Sequence, residues 1–208
     1  MTSTQITILL LVAQVAITFL IAFRAFARYF QTRHDLYLIL GIAMGTIAIV
    51  GVVGIVGDNY FASSLNTKWF RYSAQVVSYT FIFLASLRAS EGYLRRVVQW
   101  ELICVALLAG ALFLTPVTPA LGNARVEALV SLSRGVICFI ICLNYIRFFL
   151  QKGTRFSFLM GLAFFLISVG IAITTPWYFQ QTKLLYLSIG DTTRTVGLFI
   201  MLLTFFLK

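Results

Sequence analysis

The chain has 208 residues, of which 61% are hydrophobic and 11% are charged, and its mean hydropathy is +0.97. A soluble domain needs a charged surface, so this composition excludes one and predicts an integral membrane protein. The formal net charge of +10 does not call for nucleic acid as a partner. Basic helix ends meet the anionic head groups of the lipid bilayer, which is the expected partner here.

Seven apolar windows are each long enough to cross a hydrocarbon core of about 30 Å as a helix. They cover residues 5–26, 36–57, 70–88, 99–116, 126–149, 156–176 and 185–207. The windows are continuously apolar rather than alternating, which favours helices over the strands of a barrel. The first window lacks a basic leader, so we expect it to remain as a span. The sequence therefore predicts one all-α domain over residues 1–208, a seven-transmembrane-helix bundle.

The basic residues indicate an orientation for this bundle. Ten of the sixteen lysines and arginines fall at one set of helix ends: Arg24, Arg28, Arg33, Arg88, Arg95, Arg96, Arg147, Lys152, Arg155 and Lys208. The positive-inside rule then places the N-terminus outside and the C-terminus in the cytoplasm of a plasma-membrane protein. The aromatic run "PWYF" at 176–179 is expected to anchor the outer interface.

Two parts of the chain resemble each other. The stretch "RYFQTRHDLYLILGIA" from Arg28 aligns with "RFFLQKGTRFSFLMGLA" from Arg147, and the second copy has one extra residue. This match predicts two parallel repeats, 5–88 and 126–208, joined by a linker helix at 99–116, in a 3+1+3 arrangement. The alternative is that two unrelated membrane hairpins share apolar residues and basic ends.

Charged residues at membrane depth are the strongest functional signal, because each costs about 2.5–3.5 kcal/mol on insertion. Six lie near the predicted outer ends of the spans: Asp58, Arg71, Glu127, Arg134, Asp191 and Arg194. Helical periodicity puts Asp191, Arg194 and Thr195 on one face of the last span, and Arg71 and Gln75 on one face of the third.

The polar residues that share these helix faces predict a polar cavity that opens to the outside. Its expected ligand-binding residues are Arg71, Tyr72, Gln75, Tyr79, Arg134, Asp191, Arg194 and Thr195, with Asp58 and Glu127 in the same buried charge network. Arginine side chains suit a carboxylate or a phosphate, so the predicted ligand is small and anionic or amphipathic. The alternative is that the charges only pair with one another to assemble the bundle.

Two of these segments resemble microbial rhodopsins. In "RYSAQVVSYT" and "GDTTRTVGLFIMLL", the residues that match are Arg71, Tyr72, Asp191, Val196 and Gly197. The resemblance implies a seven-helix bundle of the same orientation. Thr195 stands where that family has its retinal-binding lysine, and Ala74 stands where a carboxylate is expected. The chain's lysines lie at helix ends or in loops, which excludes covalent retinal.

Other chemistry has little support in the sequence. No histidine or serine elbow accompanies the charges at membrane depth, so we predict that the protein is not an enzyme. We expect no cofactor or metal, since His34 lies in a loop and the cysteines fall within apolar spans. Gly41 and Gly45 have the spacing of a helix-packing motif, which is compatible with a homo-oligomer.

Two functions remain at this stage. The first is a receptor-like or sensory protein with an outward-facing ligand cavity. The second is a small transporter or ion-conducting protein that uses the same buried charges. Against transport, the inner halves of the spans, such as "VICFIICL" and "FIMLLTFF", offer no polar path.

Overall fold

The computed structural model describes residues 3–60, 67–87, 90–114, 123–179 and 184–206. In these ranges the chain is helical, without a strand, so the prediction of an all-α protein is confirmed. The helices are α1 (Ser3–Thr32), α2 (Asp35–Tyr60), α3 (Thr67–Ser86), α4 (Glu91–Phe113), α5 (Ala124–Lys152), α6 (Arg155–Thr174) and α7 (Leu184–Thr204), and a 3₁₀ turn, Thr175–Tyr178, follows α6.

Five of these helices are long and apolar enough to cross a membrane. By length and composition they are α1, α2, α4, α5 and α6 with its 3₁₀ turn. Among the described residues, α3 and α7 do not meet the same criterion. The polar side chains Arg71 and Gln75 in α3, and Asp191 and Arg194 in α7, lower the mean hydropathy of these two helices. The five apolar helices support a membrane-embedded protein.

Several helices extend beyond the predicted windows, because their ends are amphipathic. The clearest case is α4, which begins at Glu91 rather than near residue 99. In its first turns Leu94 and Val97 are buried, whereas Arg95 and Arg96 are exposed. A window of uniformly apolar residues misses such a turn, although its hydrophobic spacing is helical.

Six helices pack in a closed ring, and the seventh lies outside it. Around the ring α1 packs on α2, α2 on α3, α3 on α5, α5 on α6, α6 on α7, and α7 on α1. In the described part of the chain, α4 packs against α2 and α3 alone. A large apolar core fills the end of the ring where α1 finishes, with Ile21, Met44, Ile141, Phe164 and Met201 fully buried.

The two corners of the ring that join α1 to α2 and α5 to α6 have the same backbone. Arg33 has φ 55° and Gly153 has φ 61°, and each donates its N–H over 2.7 Å to the carbonyl four residues earlier. This left-handed ending is a common helix terminator, and glycine adopts it more readily than arginine. Arg33 and Gly153 are 120 residues apart in the sequence. The two corners therefore correspond at this offset without a gap in either copy.

The same offset of 120 relates helix packing and burial in α1–α3 to that in α5–α7. The contact of α3 with α5 corresponds to that of α7 with α1. Buried residues also correspond: Ile21 with Ile141, Ala43 with Ala163, Met44 with Phe164, and Ile82 with Leu202. At this offset Arg28 falls on Phe148, whereas the gapped sequence alignment placed it on Arg147.

Candidate functional site

A cavity of about 290 Å³ lies inside the ring, at the end where α1 begins. Its walls come from the first parts of α1, α3, α5 and α7, and from the last parts of α2, α6 and the 3₁₀ turn. The lining residues are Thr7, Leu11, Gln14, Val15, Thr18, Ile47, Gly51, Arg71, Tyr72, Gln75, Tyr79, Arg134, Ile167, Thr174, Trp177, Tyr178, Leu187, Asp191, Arg194 and Leu198. At its other end the cavity meets the apolar core.

The structure brings most of the predicted ligand-binding residues to this cavity. Those that line it are Arg71, Tyr72, Gln75, Tyr79, Arg134, Asp191 and Arg194. Thr195 is not a lining residue, but its hydroxyl accepts a hydrogen bond from the lining residue Gln14. Glu127 is buried at the start of α5 and does not line the cavity. The side chain of Asp58 lies outside the described residues.

Arg134 is the most deeply buried cation of the cavity, with 4% of its surface exposed. Its guanidinium donates to the side-chain oxygen of Gln75 and, over 2.6 Å, to the hydroxyl of Ser131. It also lies 5.0 Å from the centre of the Tyr72 ring, within cation–π range. Among the described residues its Nε–H has no hydrogen-bond partner.

Asp191 and Arg194 form an ion pair one turn apart on α7. The Arg194 Nη1 to Asp191 Oδ1 distance is 3.1 Å, and both side chains are mostly buried. The backbone carbonyl of Asp191 also accepts hydrogen bonds from the Gln14 amide, at 3.0 Å, and from the Thr195 hydroxyl, at 2.7 Å. Gln14 therefore ties α1 to the helix that carries the ion pair.

Glycines let α6 and α7 approach closely beside this ion pair. A Cβ added to Gly190 would lie 2.7 Å from the Gly170 carbonyl oxygen, and one added to Gly197 would lie 2.8 Å from the Ala163 carbonyl oxygen. Both distances are too short for a real methyl group, so these positions need glycine. The close approach of the two backbones places Asp191 and Arg194 against the end of α6.

Aromatic groups form the rest of the polar wall. The hydroxyls of Tyr72 and Tyr178 are hydrogen-bonded at 3.1 Å, which joins α3 to the 3₁₀ turn. The Arg71 guanidinium lies 5.9 Å from the centre of the Tyr72 ring. The indole Nε1–H of Trp177, another lining residue, is buried and has no hydrogen-bond partner in the described structure.

Sequence reasoning missed the other lining residues, among them Gln14, Trp177 and Tyr178. Gln14 is a single polar residue in the apolar run "LLLVAQVAIT", and this isolation was the signal that could have identified it. Trp177 and Tyr178 were expected to anchor the interface with the bilayer, and the structure shows that they also line the cavity. The physical reason is the 3₁₀ turn after Thr174, which keeps both aromatic side chains next to the ring of helices.

Comparisons of the chain with protein-family models, with curated proteins and with solved structures give no match.

Proposed function

We propose that this protein is a receptor-like or sensory membrane protein that binds a small anionic ligand in the cavity. The observation that carries this proposal is the charge of the cavity wall. Arg71, Arg134 and Arg194 line it, and Asp191 is the single carboxylate among its lining residues. Asp191 pairs with Arg194, and the described hydrogen-bond partners of Arg134 are the neutral side chains of Gln75 and Ser131. The positive charge of Arg134 is therefore left unbalanced at a depth where an anion is a favourable partner.

Two buried donors add to this argument. The Nε–H of Arg134 and the Nε1–H of Trp177 lack partners in the described structure, and a buried donor without an acceptor costs about 1–3 kcal/mol. A carboxylate or phosphate oxygen supplies acceptors for such donors. Arginine is the side chain best suited to these groups, because its guanidinium is planar and always charged.

The size and aromatic content of the cavity restrict the ligand further. A volume of about 290 Å³ lies at the lower end of the range for small-molecule sites. Tyr72, Tyr79, Trp177 and Tyr178 offer ring surfaces beside the arginines. A small molecule with one anionic group and one apolar or aromatic part matches both features.

The proposal includes an orientation in a membrane. In it, all seven helices cross the bilayer of the plasma membrane, with the start of α1 outside and the cavity open to the outside. The charge distribution supports this, since Arg24, Arg28, Arg95, Arg96 and Arg147 lie toward the end opposite to the cavity. Packing also supports it, because α3 and α7 are members of the six-helix ring although their polar residues lower their hydropathy.

The relation to microbial rhodopsins stays a prediction within this proposal. Thr195, at the position of that family's retinal lysine, is hydrogen-bonded to Gln14 and to the backbone of its own helix. Among the described lining residues of the cavity there is no lysine. We therefore expect a ligand of this cavity to be held by non-covalent contacts.

Native mass spectrometry of the protein in mild detergent tests the proposal. We expect a discrete bound anion in the wild type that is lost in Arg194→Ala. Arg125→Ala is the matched control, because Arg125 is exposed at the start of α5 and should leave the bound mass unchanged. A bound cation or neutral lipid that persists in Arg194→Ala would contradict an anion site.

A second function, transport of the same anion, is favoured by one specific observation. The helix corners, packing and burial of α1–α3 correspond to those of α5–α7 at the offset of 120 residues. Parallel repeats of this kind are found in transporters, in which one half moves against the other around a central site. Uptake of the bound anion into proteoliposomes would favour transport, and binding without uptake would favour the receptor.

A further inference from the structure

One buried acidic side chain does not belong to the cavity wall. Glu101 is in the middle of α4, with 1% of its surface exposed. Neither of its carboxyl oxygens has a hydrogen-bond partner in the described structure. It lies on α4, the helix outside the ring, which packs against α2 and α3.

Glu101 belongs to the packed face of α4. The buried residues of that face before it are Leu94, Val97 and Val98, which are spaced like one stripe of a helix. The opposite face is exposed, with Trp100 at 63% and Leu107 at 68%. The carboxyl group is therefore buried because this face of α4 packs against α2 and α3.

Two apolar clusters flank Glu101 along the helix. Toward the start of α4, the buried residues of this face pack with Ile39, Phe81 and Ala85 of α2 and α3. Toward the end, Leu108 and Leu112 pack with Val50, Phe70 and Ala74. The faces of α2 and α3 that meet α4 are therefore apolar on both sides of the carboxyl group.

The described structure offers Glu101 no counter-charge. On α4, the nearest titratable group is the thiol of Cys104, one turn away, and the charged residues Glu91, Arg95 and Arg96 lie at the start of the helix. Among the side chains that the structure describes on α2 and α3, the charged and titratable ones lie at the cavity, in other clusters or at a helix start, and they are Asp35, Tyr37, Arg71, Tyr72 and Tyr79.

We propose that Glu101 is a proton-binding site inside the membrane, a carboxyl group that is neutral while α4 packs on α2 and α3. An ionised carboxylate in an apolar environment without a partner is too costly to persist, so the group takes up a proton instead. Release of that proton requires water or a cation to reach Glu101, and hence a movement of α4 away from α2 and α3. Glu101 is not a lining residue of the anion cavity.

Infrared spectroscopy of the purified protein tests this proposal directly. A solvent-exposed carboxyl group is ionised at pH 8, so the carbonyl stretch of a neutral carboxylic acid reports buried acids. The dependence of the band on Glu101 then distinguishes this residue from the other buried acids that the structure describes, Glu127 and Asp191. In a detergent without ester groups, we expect this band in the wild type, its loss in Glu101→Gln, and its retention in Glu91→Gln. Glu91 is the matched control because it is exposed on the same helix.

Thermal unfolding as a function of pH gives a second measurement. The unfolded chain loses the Glu101 proton before the folded chain does, so the wild type should lose stability as pH rises from 6 to 8. The expected fall in Tm is roughly 3 °C per pH unit. Glu101→Gln mimics the neutral acid and should remove this slope, whereas Glu91→Gln should keep it. Absence of the infrared band from the wild type would overturn the proposal, and so would equal pH slopes in the wild type and Glu101→Gln.

Discussion

Gln14 and Arg134 occupy equivalent places on opposite sides of the cavity, 120 residues apart. The Gln14 side-chain amide donates to the Thr195 hydroxyl over 3.2 Å, and the Arg134 guanidinium donates to the side-chain oxygen of Gln75. Gln75 and Thr195 are also 120 residues apart. Each bond joins one group of three helices to the other, so the two bonds are related by the same offset as the helix corners.

This pair of bonds explains how polar residues are accommodated inside an apolar ring. Each polar side chain on α1 or α5 meets a polar partner on α7 or α3, which spares both groups the cost of burial without a hydrogen bond. The two sides are chemically different, because one donor is a neutral amide and the other a cation. That difference gives the cavity its positive charge on the Arg134 side.

The first prediction concerns the carboxylate of the cavity. Asp191→Asn removes the negative charge that pairs with Arg194 and leaves an amide oxygen of the same shape. Affinity for the anion should rise, by up to about tenfold, because a tenfold change corresponds to about 1.4 kcal/mol of electrostatic free energy. Isothermal titration of the anion identified by mass spectrometry measures this change.

Asp35→Asn is the control for this experiment, since Asp35 lies at the start of α2 and away from the cavity. If Asp191→Asn lowered thermal stability and anion affinity to the same degree, the ion pair would be an assembly element and not a regulator of the site.

The second prediction concerns the contact between α6 and α7. Gly190→Ala would place a methyl group 2.4 Å from Thr174 Cγ2 and 2.7 Å from the Gly170 carbonyl oxygen. Overpacking of this kind costs about 1–3 kcal/mol, so Tm measured in detergent should fall by roughly 3–10 °C. In Gly110→Ala the added methyl group has no neighbouring atom within 4 Å, so this variant should not lower Tm. Equal Tm values for the two variants would contradict the close approach of the helices.

The third prediction concerns the bond between the Tyr72 and Tyr178 hydroxyls. Because one hydrogen bond is shared, Tyr72→Phe and Tyr178→Phe should each destabilise the protein by about 1 kcal/mol. The double variant should then cost clearly less than the sum of the two single costs. Chemical unfolding of the four proteins measures this coupling, and strict additivity would show that the hydroxyls act separately.

The sequence predicted the helical class and the charged residues of the polar wall for a clear physical reason. A charge in an apolar run is costly, so Arg71, Arg134, Asp191 and Arg194 are conspicuous, and helical spacing indicates which of them share a face. Their predicted role in binding a ligand stays a prediction. The seven-span topology and the orientation also stay predictions, supported by five apolar helices and by the arrangement of basic residues.

Other features depend on the packing of distant helices, which composition does not reveal. Trp177 lines the cavity because the 3₁₀ turn carries it there. Glu101 is buried on the face of α4 that packs against α2 and α3, and α4 begins at Glu91, before its predicted window. The exclusion of α4 from the ring is likewise a long-range property.

The central claim, that the cavity binds a small anion through its arginines, is tested most directly by thermal unfolding with a panel of small ions. The panel contains acetate, benzoate, phosphate and sulfate, with benzylamine as a cationic counterpart of benzoate, and the proteins are the wild type, Arg134→Gln and Arg125→Gln. We predict that at least one anion raises the Tm of the wild type and of Arg125→Gln but not of Arg134→Gln, and that benzylamine raises none. Protection by benzylamine, or equal protection of Arg134→Gln and Arg125→Gln by the anions, would contradict the claim.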